Sequence, residues 1–95
     1  MDQQNLSEKA KLISKEKDEI DVLIEENAPR FPVNKIARTD LAILRLAIYE
    51  LMIEKKEPAK VIINEAVELA KELGSDKAYA FINAVLGKIY GPKSA

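Results

Sequence analysis

Lys77, Phe81, Ala84 and Lys88 recur at spacings of four, three and four residues, which places them side by side on one helix face. The result is an aromatic ring between two cations with only a methyl beside it. Such a surface suits unstacked RNA bases, which settle on rings while cations meet their phosphates. The competing reading is a Phe at the edge of an apolar helix face, where it would be core. Carboxylates offer a second possible chemistry: Glu65 with Glu68, or Glu68 with Glu72, would share a helix face as a di-metal bundle site requires. The chain holds no histidine to complete such a site, and the three acids lie outside the apolar arc, so no metal is expected.

With neither histidine nor cysteine, thiol chemistry, disulfides, the commonest zinc sets and the usual general base are excluded. Gly74, Gly87 and Gly91 stand apart, so there is no glycine-rich phosphate loop and no basis for a nucleotide cofactor. No cofactor, no small-molecule substrate and no enzymatic activity are expected. Fifteen basic against 16 acidic residues leave a net charge of −1, so any attraction for nucleic acid must come from a local patch. No apolar run approaches the roughly 20 residues that span a bilayer, and the N-terminus lacks a secretory pattern. The expectation is a cytoplasmic protein that does not engage membranes.

The element that must position these residues is Asp40 to Lys55, apolar after its first residue except at Arg45 and Glu50 until Glu54. A helix apolar nearly all round is buried. At about 100° per residue, Asp40, Glu50 and Glu54 share one acidic, solvent-facing sector, while Arg45 points the other way among Leu41, Ile48, Tyr49 and Met52. Arg45 needs a carboxylate partner there, and Glu65 of the next helix is the first choice. Asn64 and Asn83 fall near the boundaries of apolar faces, where an amide can bond the backbone of a neighbouring helix or loop.

Around this helix the pattern predicts an all-α fold, a small bundle of four main helices in one domain of 95 residues. The first helix spans 6–26, with Leu6, Ala10, Ile13, Ile20 and Ile24 on its stripe and a solvated charged run from Lys15 to Glu19. Asn27 to Pro32 form a loop that folds Phe31 onto the core, and 33–38 make a short turn. Thr39 caps the central helix, 40–55. Pro58 opens a helix over 59–73 and Gly74 stops it. Ser75 caps the last helix, 76–89, and 90–95 form a tail.

The run Asp40-Leu-Ala-Ile-Leu-Arg-Leu-Ala-Ile-Tyr-Glu-Leu51, then Pro58-Ala-Lys-Val-Ile-Ile-Asn-Glu-Ala-Val-Glu-Leu-Ala-Lys71, then Phe81-Ile-Asn-Ala-Val-Leu86, resembles the NusB family of transcription antitermination factors. The resemblance covers Arg38 to about Ile89. It implies an all-helical fold and a factor that binds boxA-type RNA on nascent transcripts together with the small-subunit ribosomal protein that doubles as NusE. By position it implies that Phe81 borders RNA; Lys77 and Lys88 join it from the helix-face reading above, Lys77 standing where some family members have an acid. It also implies that Asp40, heading the sector of Glu50 and Glu54, faces the protein partner. Ala84 stands where the family has glycine. Family members carry further helices ahead of these motifs, including an Arg-rich segment, and this chain is expected to start after them. That expectation gives a second reading: a structural or interaction module that self-associates to cover an exposed apolar face and binds RNA weakly or not at all.

Overall fold

The computed structural model describes residues 16–90 together with Glu8 and Lys11. Within 16–90 lie four α-helices: α1 (Lys17–Asn27), α2 (Arg38–Tyr49), α3 (Ala59–Leu73) and α4 (Ala78–Tyr90). A 3₁₀ turn (Val33–Lys35) precedes α2 and a π turn (Glu50–Glu54) follows it. There is no strand among the described residues.

The core is the meeting of four apolar stripes. Ile20 and Ile24 of α1, Leu44 and Ile48 of α2, and Ile82 and Leu86 of α4 are almost wholly enclosed. From α3 come Ile62, Ala66 and Ala70, the two alanines at i, i+4 spacing giving a shallow face that lets α4 lie close along it. Helix α2 touches α1, α3 and α4, as its nearly all-round apolar surface requires.

The ends of the helices differ from expectation in instructive ways. The first helix does not run unbroken from Leu6, because Glu16 sits in a turn at φ −98°, ψ 8°, and α1 starts after it. The stripe residues Leu6, Ala10 and Ile13 lie outside the described residues, as do residues 91–95 of the expected tail. Helix α2 starts at Arg38, with the Leu41 N–H donating to the Ala37 carbonyl at 2.9 Å, so Thr39 lies inside the helix and not at its cap.

At its far end the expected helix 40–55 loosens into the π turn. The Lys55 N–H donates to the Glu50 carbonyl at 2.8 Å, five residues back, and Lys55 closes the turn in the left-handed conformation at φ 54°. Helix α3 keeps the expected bounds. Helix α4 begins at Ala78, two residues late, and takes in Tyr90, which was expected in the tail.

Candidate nucleic-acid interface

Phe81 is half-buried on α4 and meets Phe31 of the α1–α2 loop edge to face, with ring centroids 5.1 Å apart and planes at 69°. Phe31 is not folded into the core as expected; it is 49% exposed. The loop that carries it is nonetheless well held. The Asn27 amide donates to the Leu23 carbonyl at 2.8 Å and the Phe31 N–H donates to the Ala28 carbonyl at 2.9 Å, which closes a turn with Pro29 at its second position. The Val33 N–H then donates to the Glu25 carboxylate at 3.2 Å. Pro29 and Pro32 fix φ on either side of Arg30 and Phe31, so the segment has little freedom to lose.

Two shallow depressions flank the ring pair. One, of about 290 Å³, has Lys35 and Lys77 on its rim, with Asp76 as the nearby exposed acid. The other, of about 230 Å³, is lined by Arg30 and Lys88 together with Ala84. Of the expected RNA-facing residues, Phe81, Lys77 and Lys88 are therefore brought together, with both lysines exposed. Phe31, Arg30 and Lys35 were missed. Their signal lay in a loop, an aromatic held between prolines and beside an arginine, which a search for helix faces passes over.

Lys77 occupies the left-handed region at φ 63°, a conformation that disfavours side chains bearing a Cβ. It is set there by the tight turn into α4, in which the Ala78 N–H donates to the Ser75 carbonyl at 3.0 Å and the Ala80 N–H to that of Lys77 at 3.1 Å.

Asp40 is not on a wet acidic face. It is 5% exposed, and its two carboxylate oxygens accept hydrogen bonds from the Ser75 N–H at 3.1 Å and the Ser75 hydroxyl at 2.7 Å. Ser75 thus binds Asp40 and does not cap the last helix. The carboxylate bridges the start of α2 to the α3–α4 turn, and Gly74 makes that approach possible. A Cβ there would lie 2.7 Å from the Ala70 carbonyl oxygen and 2.8 Å from Asp40 Oδ1. Glu50 and Glu54 sit half-buried in the π turn, whereas Asp40 is enclosed at the start of α2, so Asp40 does not lead a solvent-facing acidic sector.

Arg45 pairs with Asp21 and not with Glu65. Its Nε and Nη2 donate to the two Asp21 oxygens at 2.9 and 2.8 Å, a forked contact from α2 to α1. Packing Ile20 and Ile24 against α2 brings Asp21, on the same helix, up to this side, whereas Glu65 is exposed on α3. The Arg45 side of α2 is consequently covered by α1 of the same chain. Asn64 and Asn83, expected at the boundaries of apolar faces, are both exposed. Asn64 lines an outer groove with Glu65, Glu68 and Glu72, away from the ring pair.

The model of the NusB family matches residues 1–91. Among curated proteins, the transcription antitermination protein NusB of Agathobacter rectalis is 47% identical over 87 residues, covering 92% of this chain and 66% of its own length. The NusB proteins of Chloroflexus aggregans and Roseiflexus castenholzii are each 53% identical over 72 residues, which is 74% of this chain and 48% and 51% of theirs. The chain thus spans about half to two thirds of the length of these relatives. No helix of the described residues is long and apolar enough to cross a membrane.

Proposed function

The chain belongs to the NusB family, and on that premise we propose that it is a non-enzymatic transcription antitermination factor that binds single-stranded, boxA-type RNA. The observation that carries the reading is the Phe31–Phe81 pair with Arg30, Lys35, Lys77 and Lys88 around it. Rings supply stacking for any base and cations supply phosphate contacts, so a local surface attracts a polyanion although the whole chain has a net charge of −1. A small-subunit ribosomal protein acts as partner. The half-buried Glu50 and Glu54 at the π turn are its proposed contacts; Asp40, spent on Ser75, is not.

Titration of labelled boxA-type RNA at low and moderate salt, with and without the ribosomal protein, tests this. Binding strengthened by the protein is expected, and no binding in any combination overturns it. A self-associating module is the second reading, favoured by Met52, Ile53 and Val61, which are 38%, 42% and 38% exposed at the π turn and the start of α3. Light scattering that gives a stable monomer removes it.

A further inference from the structure

The two depressions share two lining residues, Phe31 and Phe81. The ring pair is therefore a partition with one recess on each side, not a platform with a single surface. Each recess has its own pair of cations: Lys35 with Lys77 on one side, where Asp76 and the Ser75-bonded Asp40 also line the wall, and Arg30 with Lys88 on the other, where no carboxylate among the described residues does. At about 290 and 230 Å³ both fall below the size usual for a drug-like ligand, and each suits one planar base.

We propose that Phe31 is the wedge of a two-nucleotide site, holding two successive bases of single-stranded RNA apart on either side of the ring pair while the flanking cations meet their phosphates. This rests on the RNA-binding reading above and adds to it a residue and a stoichiometry. A duplex is excluded from such a site, because its bases cannot be splayed around a ring without unpairing.

Phe31 suits the role because it is 49% exposed, lies between the two recesses, and is held in place before any ligand arrives. A loop already ordered loses little entropy when a base stacks on it. A structural role alone, covering the exposed side of Phe81, would be filled as well by an aliphatic side chain.

The test compares wild-type chain with Phe31→Leu, Phe31→Trp and Phe31→Ala, each first shown to melt like wild type, against a labelled uridine decamer with two adjacent 2-aminopurines at its centre. Ring stacking is worth about 1–3 kcal/mol per base, so Phe31→Leu and Phe31→Ala should weaken binding by about fivefold to more than a hundredfold, while Phe31→Trp retains it. Adjacent 2-aminopurines quench one another when stacked. Their fluorescence should rise on binding to wild type and not on binding to Phe31→Leu. If Phe31→Leu binds within twofold of wild type with the same rise, the wedge is overturned while RNA binding stands. If wild type binds neither this decamer nor boxA-type RNA, the wedge and the RNA reading fall together.

Discussion

Two residues at the α3–α4 corner do work that their types alone do not reveal. Gly74 has φ −80°, an ordinary value, so its glycine is not required by backbone conformation. It is required by space, since a methyl would press on a carbonyl and a bonded carboxylate. Gly74→Ala should therefore cost about 1–3 kcal/mol, the range of an overpacked interior, read as a lowered thermal midpoint. An unchanged midpoint would overturn the crowding at this corner, because the Ala70 carbonyl is backbone and does not yield as a side chain does. The sequence suggested Gly74 as a helix stop, which it is, but not its contact with Asp40, because the two lie 34 positions apart. Asp40 misled for a related reason: a lone acid in a helix's first turn ordinarily faces water and the dipole, and only the returning α3–α4 turn encloses it.

The helices themselves were legible, because a long period-3.6 pattern with punctuation at both ends leaves few alternatives. α3 shows this most plainly, bounded by Pro58 and Gly74. What a single strand of text hides is which helix covers which side. The Arg45 partner was sought on α3, yet α1 supplies it, since a charged side chain's owner depends on packing order rather than on spacing within one helix. With side chains 22% and 20% exposed, Arg45 and Asp21 stand between surface pairs and fully enclosed ones. A double-mutant cycle with Arg45→Ala and Asp21→Ala should return a coupling of about 1–2 kcal/mol that shrinks in high salt. A coupling near zero would leave the pair without energetic weight. The π turn was equally hidden, because its sequence continues the apolar pattern of α2 without a Gly or Pro to mark the change.

For the whole molecule, the charge balance argued against nucleic acid and the arrangement of charges argues for it, since four cations converge on one ring pair from a loop, a 3₁₀ turn and two ends of α4. That convergence is not visible in a net charge. If all four meet phosphates, the logarithm of the RNA-binding constant should fall against the logarithm of salt with a slope of about −3, given about 0.7 per phosphate on a single strand. A slope near zero would leave stacking as the whole interaction. Removing one cation, as in Lys88→Ala, should lower the slope by somewhat less than one and weaken binding to every sequence alike.

The bond from Asp40 to Ser75 joins positions 35 residues apart, whereas α3 and α4 are neighbours in the chain. Closing so long a loop is entropically slower than pairing adjacent helices, which puts the clasp late on the way to the native state. Interactions that form after the rate-limiting barrier act as a latch on the way out: they hold back unfolding and leave the speed of folding nearly unchanged. Asp40→Ala should accordingly speed unfolding several-fold in a stopped-flow chevron while the refolding arm stays put. Were the refolding arm to slow by the same factor, the corner would instead be part of the folding nucleus.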